Sequence, residues 1–281
     1  MSLVDEAAAP IRAAWGAASD VGAVRPLNED SYIAEFPVFV VADGMGGHEA
    51  GERASAEAVD ALRNLVGVPG VTARAVQERL QEAQDRVRAI ETRPGRGAGT
   101  TVTGVVVAAQ GGVPYWLVVN LGDSRTYRLS EGVLEQISVD HSEVQEMIEA
   151  GTLTTEQAER HPRRHVVTRA LGAGVVLDPD FWLLPVVEND RVLVCTDGLT
   201  GELSDARIQQ VLLAEPDPQV AAEVLVAAAV AAGGRDNVTV LVVDAHDVGD
   251  TSDDEHTAPR AAEDEDDDTI PRARVREMGA I

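Results

Sequence analysis

The sequence predicts an α+β fold in which antiparallel strands are covered by pairs of helices. Three observations carry this reading. Apolar residues recur at helical spacing in four segments, and those segments come two by two. Between the pairs lie short β-branched runs in succession, joined by gaps of turn length such as GGVP and GDS, which suits hairpins. Strand–helix–strand alternation is missing, as are a G-x-x-x-x-G-K-S/T loop and a dinucleotide fingerprint, so nucleotide-binding folds lose their main support.

Taken in chain order, FVVA at 39–42 reads as a buried strand that runs into Asp43. Residues 48–66 and 71–91 form the first helix pair, the second of them with Val76, Leu80, Ala83, Val87 and Ile90 on one face. TVTGVVVA (101–108), YWLVVNLG (115–122) and SRTYRL (124–129) follow as strands, because β-branched and aromatic side chains fit a pleated, half-buried surface. Residues 140–174 are mostly polar, hold a short helix over 142–150 and read as an inserted flap. DFWLLPV (180–186) and RVLVCT (191–196) resume the strands, residues 205–214 and 219–232 form the second helix pair, and NVTVLVVD (237–244) closes the series.

The 281 residues are 44% hydrophobic but only 3% aromatic, so the core must be built from Val, Leu, Ile and Ala in close-packed layers. Acids outnumber bases 48 to 23, every base is arginine, and the net charge is -25. A field of that sign repels nucleic acid and anionic membrane and gathers cations. The single Cys195 cannot form an internal disulfide, and inside an apparent strand it reads as core filling. The N-terminal residues carry acids where a signal peptide carries bases, and the most apolar segment, 220–232, is too short to span a bilayer, so the expected location is the cytoplasm.

Four aspartates stand at the boundaries of strongly apolar strands: Asp43, Asp123, Asp197 and Asp236. In an antiparallel sheet the start of one strand lies beside the end of the next, so all four can meet at one edge. One Asp-Gly is a turn signal; four acids, each at the boundary of an apolar strand, raise a shared site, and spacing alone leaves both readings open. Unit charges 4 Å apart repel by about 4 kcal/mol at an effective dielectric of about 20, so such a cluster either protonates or captures cations. An all-oxygen set without His or Cys selects hard divalent ions, Mg²⁺ or Mn²⁺. Gly44, Gly46 and Gly47 then bring backbone close to the ion. Arg25, ahead of Glu29 and Asp30, reads either as a surface charge or, beside cations, as a bidentate grip on a phosphate dianion.

These residues resemble the bacterial form of the metal-dependent Ser/Thr protein phosphatases of the type 2C class. The matching stretches are RxxNED at 25–30, VADGMGGH at 41–48, GTT at 99–101, NLGDSR at 120–125, DHS at 140–142, HPRRHVVTRALG at 161–172, TDGL at 196–199 and RDNVT at 235–239. The resemblance implies a four-layer α-β-β-α sandwich, two antiparallel sheets between helix pairs, over residues 1–245 with the flap at about 140–174. It implies two Mn²⁺ or Mg²⁺ ions. Asp43 would bridge them, Asp197 and Asp236 would hold the first, and the Gly44 carbonyl the second, with Glu29 and Asp30 acting through waters. Asp123 with Asp197 matches the position of a third, weaker ion, and Arg25 would bind phosphate. The implied reaction is attack of an activated water on phosphoserine or phosphothreonine of cytoplasmic proteins, opposing a Ser/Thr kinase; the alternative is a non-catalytic phosphoprotein-binding or scaffold module with the same fold. Met45 stands where some relatives place a histidine, which leaves the leaving-group acid unassigned, and His48, His141, His161 and His165 read as structural.

The flap carries charge over the expected mouth, suiting contact with the phosphoprotein. Residues 246–281 hold 12 acids and 4 arginines without hydrophobic periodicity and read as an acidic disordered tail. Its two echoes, TAPRA at 257–261 and TIPRA at 269–273, offer Thr257 and Thr269 as phosphorylation sites and as a docking point for a phosphothreonine-binding domain.

Overall fold

Two antiparallel sheets form in the computed structural model, which describes residues 11–46, 49–92, 97–158, 160–174 and 176–248. In chain order the elements are β1 (Arg12–Asp20), β2 (Asp30–Glu35), β3 (Val38–Met45), α1 (Glu49–Arg63), α2 (Ala73–Arg88), β4 (Gly99–Thr100), β5 (Val102–Gln110), β6 (Val113–Leu121), β7 (Arg125–Ser130) and β8 (Val133–Gln136). There follow α3 (Glu143–Glu149), α4 (Thr155–Ala158), β9 (Asp180–Pro185), β10 (Arg191–Cys195), α5 (Asp197–Thr200), α6 (Asp205–Ala214), α7 (Pro218–Ala232) and β11 (Val238–His246). One sheet has the order β1-β11-β10-β7-β8. The other runs β2-β3-β5-β6-β9, with β4 added to the end of β3.

Side-chain alternation assigns each residue to a layer. On β3, Val38, Val40 and Ala42 face α1 and α2, packing with Leu62, Val76 and Leu80. Phe39 and Val41 point the other way, into a layer between the sheets shared with Val105, Trp116, Val118, Val194 and Leu241. On the far side Leu193, Cys195, Val240 and Val242 meet Ile208, Leu225 and Ala229 of α6 and α7. The result is the four-layer α-β-β-α sandwich, with the aromatic-poor core filled chiefly by valine, leucine and alanine. Helix ends are set by local chemistry: the Thr72, Ser204 and Asp217 side chains accept from backbone N–H groups of the first turns of α2, α6 and α7, and Pro218 opens α7.

Strands β1 and β2 were not expected from the sequence. β1 is rich in alanine and owes its conformation to nine consecutive pairings with β11. Its small residues serve the neighbouring helix: a Cβ at Gly16 would overlap the backbone of Gln219, and the Gln219 side chain both accepts from Ala17 N and donates to Ala17 O. The run into Asp43 also differs from expectation. β3 does not stop there but continues through Met45, because β4 supplies the pairs Gly44↔Thr100 and Met45↔Gly99.

Residues 140–174 leave the sheets after β8 and carry α3 and α4. The excursion is tied down at both ends: His141 N donates to Gly122 O, Thr168 N donates to His141 O, and Leu171 exchanges both backbone bonds with Thr100. Among the described residues no helix is long and apolar enough to cross a membrane. Beyond Val248 the tail, with Thr257 and Thr269, lies outside the described residues, as do Gly47 and His48.

Candidate metal centre

The inter-sheet layer changes character towards one end. Apolar residues give way to paired hydroxyls, Thr103 with Thr126 at 3.0 Å and Thr101 with Ser124 at 2.8 Å, and the hydroxyls give way to carboxylates. Asp43 follows Phe39 and Val41 on the same face of β3 and so emerges at this end. Its backbone is held by Thr101, whose hydroxyl accepts from Asp43 N and whose N–H donates to Asp43 O, and by the Thr100 hydroxyl, which also donates to Asp43 O. Asp30 is the register partner of Asp43 on β2. Asp123 follows β6, Asp197 opens α5, and Asp236 precedes β11.

Asp43, Asp123, Asp197 and Asp236 line one cleft of about 520 Å³, together with Glu29, Gly44 and Arg25. The four strand-boundary aspartates therefore share a site, contributed by both sheets. Asp30 is placed differently from its neighbours. It does not line the cleft but braces it from below, its Oδ2 accepting from the hydroxyls of Thr196 at 2.9 Å and Thr239 at 2.7 Å on the opposite sheet. Gly44 is glycine for packing: a Cβ there would strike the backbone carbonyls of Gly51 and Glu29. Asn237 secures the loop carrying Arg25 and Glu29. Its side-chain NH₂ donates to Val21 O and Leu27 O, each at 2.9 Å, and its Oδ1 accepts from Glu29 N at 2.8 Å. Arg25 donates to Asp236 Oδ2 at 2.7 Å, and about half of its side chain is exposed.

Crowded carboxylates away from water resist ionisation. Burial first, and then the charges of Asp30, Asp197, Asp123 and Asp236, carry Asp43 well above the ordinary carboxylate range. Asp30 is pushed up to about 7 by burial, held back by the Thr239 and Thr196 hydroxyls and raised further by Asp197 and Asp236. Asp123 also reaches about 7, through burial and then the charges of Asp197 and Asp140. Asp30 Oδ1 and Asp197 Oδ1 are buried without a hydrogen-bond partner among the described residues. Orphaned carboxylate oxygens of this kind fit hard divalent cations. No three His, Cys, Asp or Glu side chains among the described residues close into a cage around one ion. Magnesium-like ions keep several waters and take one or two carboxylates each, so a shared rim of acids suits them better than a closed cage.

A family model described as protein phosphatase 2C matches residues 27–227. The chain belongs to the protein phosphatase 2C family. It is 34% identical over 241 residues to the serine/threonine phosphatase stp of Listeria innocua, covering 80% of this chain and 93% of that one. It is 36% identical over 273 residues to the serine/threonine protein phosphatase PstP of Mycobacterium tuberculosis, covering 95% of this chain and spanning 52% of that relative's length. The crystal structure of the PstP catalytic domain in complex with two manganese ions superimposes with a TM-score of 0.76 at 35% identity, covering 84% of this chain and all of that one.

In this type 2C phosphatase the cleft also holds residues that sequence reasoning did not assign to it. His165, read as structural, lines it from the flap with Nδ1 3.7 Å from Asp197 Oδ2, and that carboxylate, offset by burial, raises the imidazole pKa. Arg164 lines it beside His165, and Arg235 is fastened to Glu202 on its rim at 2.7 Å. The only signal for these was the HPRRH stretch itself; their place depends on how the flap folds back. Cys195 is buried in the layer beneath α6 and α7, where burial pushes its thiol up to about 12, and it takes no part in the cleft.

Proposed function

We propose that this protein hydrolyses phosphoserine and phosphothreonine in cytoplasmic proteins with Mn²⁺ or Mg²⁺, opposing a Ser/Thr kinase. The observation that carries the reading is the meeting, in one cleft, of four carboxylates from distant segments with an arginine suited to phosphate. Asp43 would serve two ions, Asp197 and Asp236 one of them, and the Gly44 carbonyl the other, with Glu29 and Asp30 acting through water; Asp123 with Asp197 would hold a third, weaker ion. When bound, the cations supply Lewis acidity, bringing the pKa of water from about 15.7 towards neutrality and offsetting charge on the phosphoryl oxygens.

The chain's own residues do the rest. Arg25 presents a planar, permanently charged fork at the cleft, oriented by its bond to Asp236, and can grip two phosphoryl oxygens. Asn237 fixes the loop from which Arg25 projects, and Thr100 and Thr101 fix the backbone of Asp43. Met45 lines the cleft and has no proton to give, so it is not the acid for the departing serine or threonine oxygen; water in the cleft is the candidate donor, and that role stays unassigned. No nucleophilic thiol or hydroxyl is required.

The test is hydrolysis of p-nitrophenyl phosphate and of a phosphothreonine peptide with Mn²⁺. Turnover abolished by EDTA and by Asp43→Asn supports the proposal. Phosphopeptide binding without turnover would instead support a non-catalytic module. Phosphorylation of Thr257 or Thr269 by a partner kinase, with recognition by a phosphothreonine-binding domain, belongs to the same reading. Co-expression with the kinase and mass mapping checks it, and an unmodified tail refutes it.

A further inference from the structure

The flap is polarised. Its first half carries Glu143, Glu146, Glu149 and Glu156 and no arginine, whereas residues 160–174 hold four arginines, two histidines and no acid. In a chain of net charge -25 this is a basic strip, and within it Arg164 and His165 line the cleft. Two of its arginines are committed: Arg163 to Glu143 at 3.0 Å, and Arg169 to Asp180 at 3.4 Å. Arg160 and Arg164 meet no carboxylate within ion-pair distance among the described residues, although the protein has two acids for every base. Guanidinium groups without a carboxylate partner among the described residues, one of them lining the cleft, suit an anionic visitor there.

We propose that the visitor is this chain's own acidic run, Glu263 to Asp268, which docks on Arg160 and Arg164 and competes with phosphoprotein substrates for the mouth of the cleft. Complementarity supports it: the run is six consecutive acids, EDEDDD, the densest charge in the sequence. Reach allows it. The cleft lies at the start of β11, next to Asp236, and the chain leaves β11 nine residues later, about 30 Å away. The 16 residues from 247 to 262 can span about 54 Å, so the run returns to the mouth without strain. Covalent attachment places it there at an effective concentration in the millimolar range, above that of any free acidic peptide.

The docking stands apart from the proposed phosphatase activity, although its kinetic consequence rests on it, so both are measured on the full chain loaded with Mn²⁺. A labelled peptide of residues 261–271 is titrated into a variant whose run is neutralised (Glu263→Gln, Asp264→Asn, Glu265→Gln, Asp266→Asn, Asp267→Asn, Asp268→Asn). Saturable anisotropy that fades at high salt, and weakens about fivefold or more when Arg160→Ala and Arg164→Ala are added, is expected from two exposed charge pairs. Undiminished binding to the arginine variant, or none to either protein, overturns the docking. In the kinetic arm, neutralising the run lowers KM for a phosphothreonine peptide at low salt, leaves kcat in place, and does so at every enzyme concentration. An effect that grows with enzyme concentration would place the run of a second copy on the flap and refute docking in cis. Peptide binding without phosphatase turnover would refute the proposed activity and leave the docking intact.

Discussion

Replacing Asp30 by asparagine isolates the electrostatic cost of assembling the centre. Asp30 is buried, and its pKa is raised from 3.8 to about 7. Below pH 3.8 the group is neutral in both folded and unfolded chains and stability is untouched. As pH climbs from 3.8 to about 7 the unfolded chain ionises first, so stability falls, and above pH 7 the loss is complete. At about 1.4 kcal/mol per pH unit, the full loss is on the order of 4 kcal/mol, of which on the order of 3 accrues between pH 5 and pH 8. Asparagine keeps an oxygen to accept from Thr196 and Thr239 but does not titrate. The gain in stability of Asp30→Asn over the parent should therefore be larger at pH 8 than at pH 5 by roughly 3 kcal/mol. Any fixed cost of burying the amide NH₂ cancels in that difference. Urea denaturation in EDTA at the two pH values measures it. A gain that is the same at both would refute the argument that burial, not local hydrogen bonding, governs Asp30.

Three further outcomes are expected. Arg25→Ala should raise KM for a phosphothreonine peptide by about tenfold or more while leaving the melting temperature nearly unchanged, since its pair with Asp236 is half-exposed; an unchanged KM removes Arg25 from phosphate binding. Asn237→Ala removes three buried or half-buried hydrogen bonds and should cost about 3 kcal/mol in urea denaturation, with amide exchange accelerated at Glu29; a loss under about 1 kcal/mol would show that the loop is held elsewhere. Cys195→Ala should retain turnover of p-nitrophenyl phosphate and lose about 1 kcal/mol of stability from the smaller core side chain; abolished turnover in a folded variant would contradict the passive role of the thiol.

What the sequence made legible follows from how local each signal is. The runs around Val105, Val118, Val194 and Val240 announce themselves as strands because their own side chains favour a pleated, buried surface. β1 is silent because alanine and glycine carry no such preference; its form is imposed by β11 on one side and its composition by the backbone of α7 lying on Gly16. The strand-boundary aspartates are legible for a simple reason: a carboxylate that closes an apolar run is costly unless something compensates it. The work of Asp30 is hidden, since it depends on Thr196 and Thr239, more than 160 residues away on the other sheet. His165 and Arg164 are hidden likewise, being brought to the cleft by a fold-back secured through Leu171 and Thr100.

The brace beneath the cleft has a bearing on how the molecule gains its chemistry. Asp43 and Asp30 belong to one sheet, Asp197 and Asp236 border the other, and a single carboxylate bonded to two hydroxyls spans the gap. The carboxylates that line the cleft are divided between the two halves, so full ion affinity should arise only as the halves close. Manganese uptake during refolding would then time the docking of one sheet on the other, and a proteolytic nick that parts them should extinguish ion binding in a single step.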